Sequence, residues 1–265
     1  MKRRWIQVIC AVLYNCHITG FSDGTIYQGN IKGICVPGLN CYSCPGAVFS
    51  CPLGSLQSAL VSSKYRFPYY ILGVLLLFGI FLGRIICGFL CPFGLLQELL
   101  YKIPTRKLPK SIRTRRLSFL KYIILAVFVV LIPLVFLVPG FCKYICPAGT
   151  LEGGIPLLLK NESLQQLAGR LFQWKFLLLV IILLSAVFIF RVFCRFLCPL
   201  GAFYGLFHKI SLFGIQTDKE KCNNCGLCVR RCKMDVKKVG DAECIQCGEC
   251  IENCNKCALH YGLKK

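Results

Sequence analysis

Histidine is nearly missing from this 265-residue chain: His17, His208 and His260 are the only three. They are too few and too scattered to make a bis-histidine haem site. Acid is scarce as well, with 11 Asp and Glu against 32 Lys and Arg, which leaves a formal charge of +21. That excess would suggest nucleic acid in a soluble chain, but the basic residues gather beside hydrophobic stretches, where they set membrane orientation instead. No glycine-rich phosphate loop and no aromatic-basic RNA-binding pattern is present. Nucleic acid is therefore not an expected partner.

What the chain has in abundance is apolar surface and thiol. It is 56% hydrophobic, with a mean hydropathy of +0.63 and 21 cysteines. A spanning helix needs roughly 20 mostly apolar residues, and four stretches come close, at about 5–21, 69–86, 119–138 and 174–193. The first is short, contains Asn15 and His17, and follows Met1-Lys2-Arg3-Arg4 in the manner of a signal sequence. It shows no clear small-residue cleavage site, so a retained anchor is expected.

Between the second and third stretches lie Lys102, Arg106, Lys107, Lys110, Arg113, Arg115 and Arg116, with no acidic residue among them. The positive-inside rule makes this loop cytoplasmic. Threading the spans from it puts both termini inside a cytoplasmic membrane and the segments around 22–68 and 141–173 outside. The expected fold is an all-α bundle of about four transmembrane helices in two tandem halves, 1–110 and 111–215. A small α+β module over 216–265 follows.

That module is announced by spacing. Cys222, Cys225, Cys228 and Cys232 read C-x2-C-x2-C-x3-C, and Cys244, Cys247, Cys250 and Cys254 repeat it. This is the pattern of a bacterial two-cluster ferredoxin, in which the fourth cysteine of each run ligates the other cluster. One [4Fe-4S] cluster is expected on Cys222, Cys225, Cys228 and Cys254, the other on Cys244, Cys247, Cys250 and Cys232. Gly226 and Gly248 suit such loops, because glycine permits close backbone approach. Lys233 and Asn255 stand where Pro commonly follows the fourth cysteine, and Cys257 is a spare thiol. Two zinc sites are the competing reading, since four thiolates also suit zinc.

A second element recurs four times: Cys51-Pro52-Leu53-Gly54, Cys91-Pro92-Phe93-Gly94, Cys146-Pro147-Ala148-Gly149 and Cys198-Pro199-Leu200-Gly201. Cys87, Cys142 and Cys194 sit four residues ahead of the last three; in the first copy Ala47 holds that place. Pro just after Cys fits a helix start, where the helix dipole favours a thiolate. If the halves pack face to face, Cys87, Cys91, Cys194 and Cys198 form an inner four-thiolate site for a further [4Fe-4S] cluster, against the alternative of buried thiols packing as small apolar residues. Cys44, Cys51, Cys142 and Cys146 would form a matching outer site, with Cys35 and Cys41 competing for membership. Outer disulfides are an equal alternative. Arg84 and Arg191, beside the inner cysteines, either snorkel to headgroups or offset the charge of a reduced cluster. Cys10 and Cys16 carry no expected chemistry.

The runs Cys87-Gly88-Phe89-Leu90-Cys91-Pro92-Phe93-Gly94 and Cys194-Arg195-Phe196-Leu197-Cys198-Pro199-Leu200-Gly201, followed by Cys222 to Cys254, resemble those of the 4Fe-4S-binding membrane polyferredoxins, a group that includes NapH- and MauN-like proteins. The string Gly38-Leu39-Asn40-Cys41-Tyr42-Ser43-Cys44-Pro45-Gly46 looks like another branch of the same group. The resemblance implies an electron-transfer subunit of an oxidoreductase system. It would link a cytoplasmic donor, such as ferredoxin or flavodoxin, or a quinone pool, to an extracytoplasmic redox protein. The rival functions are a quinol dehydrogenase subunit acting on one side only, and a metal-handling or redox-sensing membrane protein. The basic residues Lys219, Lys221, Arg230, Arg231, Lys233, Lys237 and Lys238 either lie on anionic lipid or dock an acidic donor.

Overall fold

The computed structural model describes residues 3–62, 68–108, 110, 112–166 and 168–264. Met1 and Lys2 of the basic N-terminus and the side chain of Arg113 lie outside them. Among the described residues the regular elements are helices and one two-stranded sheet.

Among the described residues two helices are long and apolar enough to cross a membrane: Thr114–Phe136, with 23 residues, and Arg170–Phe188, with 19. They correspond to the third and fourth expected spans. Neither is a buried core helix, since only 22% and 17% of their apolar windows are buried. Leu131, Leu134, Val135 and Phe136 on one, and Leu177, Ile181 and Leu184 on the other, are exposed. A surface of this kind is matched to hydrocarbon rather than water.

The other two expected spans are shorter than proposed. The first is a 12-residue helix, Arg3–Tyr14, and the second a 13-residue helix, Tyr69–Phe81. At 1.5 Å per residue each reaches only about 20 Å, well short of a 30 Å slab. Tyr69–Phe81 stops because Gly83 takes a left-handed conformation (φ 52°) and turns the chain into the short helix Ile85–Phe89 that carries Cys87.

The segment expected to lie outside, around 22–68, is buried against the bundle over 35–51. Cys35, Val36, Leu39, Asn40, Cys44, Ala47, Val48 and Cys51 are buried, and Tyr204, on the helix Pro199–Leu206, donates a hydrogen bond of 3.0 Å to the Pro37 carbonyl. A Cβ on Gly38 would lie 2.9 Å from the Leu90 carbonyl oxygen and 3.2 Å from Cys91 Cα. The loop therefore penetrates to the inner motif. Irregular backbone is tolerated at such depth only when protein surrounds it.

The C-terminal module is closed by strands β1 (Phe213–Thr217) and β2 (Leu259–Leu263), which pair antiparallel from Phe213 opposite Leu263 to Thr217 opposite Leu259. They bracket both cysteine runs. Short helices Leu227–Arg231 and Glu249–Glu252 follow Gly226 and Gly248, which are left-handed at φ 69° and 84°. Asn224 and Gln246 occupy equivalent left-handed positions two residues earlier, so the two loops share one backbone path.

This module is clamped to the bundle. Lys121 Nζ lies 2.6 and 2.5 Å from the Glu243 carboxylate oxygens, and Arg84 joins them at 3.3 Å. Arg195 pairs with Asp235, which also accepts from Thr114 Oγ1 at 3.1 Å. These groups are buried, so removing one partner would strand a charge, a loss of about 3–5 kcal/mol.

Candidate metal centres

The C-P-x-G element is a helix N-cap built from sulfur. Cys91 and Cys198 are the N-cap residues of helices Pro92–Tyr101 and Pro199–Leu206, with Pro in the first turn. The glycine N–H three residues on donates to the cysteine sulfur in the third and fourth copies, Gly149 to Cys146 at 3.3 Å and Gly201 to Cys198 at 3.4 Å, and in the first and second the Gly54 and Gly94 N–H groups face Cys51 and Cys91. An N-cap serine oxygen normally takes this donor. Sulfur in that place, at the positive end of the helix dipole, is favoured as thiolate.

The four elements pair first with third and second with fourth. Cys87, Cys91, Cys194 and Cys198 are all buried and lie within electrostatic reach of one another. This is the inner set expected from spacing. On the other side the structure gathers Cys41, Cys51, Cys142 and Cys146 around a cavity of about 380 Å³. Cys41 thus stands where Cys44 was expected. Cys44 faces Glu152 and Lys32 instead, Cys35 hydrogen-bonds Ser55, and neither lines the cavity. The physical reason is the segment Leu39-Asn40-Cys41: the Leu39 N–H faces Cys91 while the Asn40 N–H faces Cys51. Adjacent peptides thereby reach both quartets and carry Cys41 into the outer one. No disulfide joins the outer cysteines in this structure.

Sequence reading missed two glutamines. Gln97 Nε2 donates to Cys194 Sγ at 3.2 Å while its Oε1 accepts from the Phe193 N–H at 2.9 Å. Gln57 does the same to Cys142 Sγ at 3.3 Å and the Phe141 N–H at 2.9 Å. Both are fully buried and stand six residues after the C-P cysteine. That C-P-x-G-x-x-Q spacing was the available signal. The same position holds Glu152 in the third copy, accepting from the Cys41 N–H at 2.7 Å, and Tyr204 in the fourth. Tyr204 lies within electrostatic reach of Cys51 on one side and of Cys87 and Cys91 on the other, so it sits between the quartets.

In the C-terminal module Cys222, Cys225, Cys228 and Cys254 line one cavity, of about 530 Å³. Cys232, Cys244, Cys247 and Cys250 line a second, together with Cys228. The fourth cysteine of each run faces the other run's cavity, as crossed ligation requires. The first cavity is at the solvent end, where Cys225 is exposed. The second lies against the bundle: a Cβ on Gly88 would strike the Ile245 carbonyl and approach Cys247 Cα to 3.8 Å.

Among the described residues no three His, Cys, Asp or Glu side chains close on a point as ligands of one bare ion would. The outer cysteines and the two C-terminal sets stand instead around open volume, and Cys146 and Cys198 accept from N–H donors. The Arg84 Nε and Nη2 atoms are buried without a hydrogen-bond partner among the described residues. Four thiols around a void, with donors aimed at sulfur, fit an iron–sulfur cubane better than zinc.

Such a chain is a multi-centre thiolate protein with apolar helices long enough to span a bilayer. It belongs to the 4Fe-4S binding domain family, whose pattern matches residues 67–111, 120–161 and 172–216 and so takes in three of the four C-P elements. The uncharacterized protein MJ0750 of Methanocaldococcus jannaschii is 33% identical over 204 residues, 72% of this chain and 78% of the relative. The regulatory protein NosR of Stutzerimonas stutzeri is 32% identical over 58% of this chain, which spans 20% of that protein. The methylamine utilization ferredoxin-type protein MauN of Paracoccus denitrificans is 28% identical over 67% of this chain and 58% of its own length. The chain therefore covers most of the first relative and only a fraction of the longer ones. No solved structure matches it. Family and relatives together make this an iron–sulfur, ferredoxin-type electron-transport protein.

Proposed function

We propose that the chain relays single electrons between solvent at the C-terminal module and the outer quartet, through four [4Fe-4S] stations in series. Clusters held by these cysteines would each store and release one electron. The observation that carries the reading is the unbroken contact between quartets. The two ferredoxin cavities share Cys228, Gly88 abuts Ile245 and Cys247, and Leu39-Asn40 joins Cys91 to Cys51. The polypeptide's part is to hold the stations at fixed separation, exclude water from the inner two and supply N–H donors to every quartet.

The Lys- and Arg-rich loop at 102–116 and the clamped module share one side, which the positive-inside rule makes cytoplasmic. Arg230, Lys237, Lys238 and Lys256 rim the first ferredoxin cavity, a surface suited to an acidic donor such as ferredoxin or flavodoxin. The acceptor would be an extracytoplasmic redox protein or a quinone. The outer quartet meets the inner one through Leu39-Asn40, so the step between them is far shorter than a slab of about 30 Å.

Anaerobically purified chain should carry roughly 16 iron atoms, four per cubane, with matching acid-labile sulfide. Sealed vesicles reduced from the cytoplasmic side should deliver electrons to an impermeant outside acceptor. Colourless protein without sulfide would end the reading, and full reduction with no electron appearing outside would end the transmembrane part of it.

A further inference from the structure

Arg84 and Arg191 each stand three residues before the first cysteine of an inner pair, and neither snorkels: their exposures are 1% and 0%. Each reaches across to the other half. A Cβ on Gly201 would lie 3.2 Å from Arg84 Nη2, and one on Gly94 would lie 3.0–3.1 Å from the Arg191 guanidinium nitrogens and Cζ. The glycine of each inner C-P-x-G element thus makes room for a guanidinium. In the outer elements it meets sulfur, Cys142 Sγ at 3.9 Å from Gly54 and Cys41 Sγ at 3.8 Å from Gly149. The positions matching the arginines are Pro139 and Cys44, which carry no cation.

The surrounding charges do not cancel the arginines. Glu98 is shared by Arg191, at 2.6 Å, and Arg3, at 2.7 Å. Glu243 is shared by Arg84, at 3.3 Å, and Lys121, at 2.5 Å. Each trio keeps one net positive charge, and Arg195 is matched by Asp235. Arg84 is within electrostatic reach of Cys87 and Cys194, and Arg191 of Cys194, Cys91 and Cys87. Arg191 holds a left-handed backbone at φ 49°, a strained state for a residue with a Cβ. The outer quartet differs. The Glu152 carboxyl lies within electrostatic reach of Cys41 and Cys51, while Lys32, Lys143 and Lys175 are half-buried or exposed and so screened by water and salt.

We propose that Arg84 and Arg191 make the inner quartet the electron sink of the membrane pair. This rests on reading both quartets as cluster sites. Reduction adds one negative charge, which two buried cations stabilise far more than screened ones do. A single electron shared by the pair therefore resides on the inner quartet, its transfer there oxidising the outer one and reducing the inner by one electron with no bond or proton transferred, and outward delivery begins when a further electron arrives from the C-terminal module. The arginines are positioning residues, acting through charge.

The test is an anaerobic redox titration of the full chain in detergent, followed by EPR, with signals assigned by Cys198→Ser for the inner quartet and Cys146→Ser for the outer. The inner signal should become reduced at higher potential than the outer. Arg191→Met and Arg84→Met should each lower the ratio of reduced inner to reduced outer centre by about tenfold or more, at unchanged iron content. Arg191→Lys should restore most of it, and Glu98→Gln should move it the opposite way. An outer centre reduced first, an unmoved ratio in iron-replete Met variants, or Glu98→Gln and Arg191→Met shifting in the same direction would overturn the proposal. Wild-type chain holding roughly eight iron atoms would instead overturn the assignment of the quartets.

Discussion

Replacing Gln97 by Met keeps the shape of the side chain and removes both of its hydrogen bonds, to the Phe193 N–H at 2.9 Å and to Cys194 Sγ at 3.2 Å. Phe193 is fully buried, so its N–H would be stranded at a cost of about 1–3 kcal/mol. A donor lost from a charged sulfur costs a further 1.5–3 kcal/mol or so. The pair comes to roughly 3–5 kcal/mol, on the order of a hundredfold or more in retention of whatever Cys194 holds. Incubating anaerobic protein with an iron chelator and following the EPR signals separately is the assay. Gln97→Met should lose the inner signal at least about a hundredfold faster than wild type and leave the outer one alone, and Gln57→Met should do the reverse. Loss of both signals at equal rates in either variant would refute the assignment of one glutamine to each quartet.

Other outcomes follow from the same geometry. Cys41→Ser should remove roughly four iron atoms per chain, whereas Cys44→Ser should remove none; iron and sulfide analysis of the two variants decides between them. Gly88→Val should press on Ile245 and Cys247 at a cost of about 1–3 kcal/mol. Stopped-flow mixing with a reductant should then show the ferredoxin signals reduced at normal rate and the inner one lagging, and an unchanged lag would remove Gly88 from the junction. Lys237→Glu with Lys238→Glu should slow reduction by an acidic protein donor at low salt and leave reduction by dithionite unaltered; equal slowing by both would show damage to the cluster rather than loss of docking.

Much of the chemistry was readable in order along the chain. Eight ferredoxin cysteines declare their crossed pairing through local spacing, because each run is a single loop wrapped on one cavity. Likewise Cys-Pro-x-Gly declares an N-cap, since the bond from the glycine N–H to sulfur closes within four residues. The pairing of first with third and second with fourth elements also followed, from the repeat. Hydropathy identified the two long helices but overextended the two short ones. Leu82, Ile85 and Ile86 in one stretch, and Ile18 and Phe21 in the other, continue the pattern past the points where Gly83 turns the chain and where Arg3–Tyr14 ends, and hydropathy averages do not register a backbone turn.

By itself the sequence determined the thiolate chemistry, the family and the four recurring caps, all of which depend on residues close together in the chain. It took the folded chain to set Cys41 rather than Cys44 beside Cys51, Cys142 and Cys146, to bring Gln57 and Gln97 against Cys142 and Cys194, and to bury Arg84 and Arg191. Each of these is a contact between segments tens of residues apart. Such contacts are set by how distant segments fill one another's space, and no local periodicity encodes that.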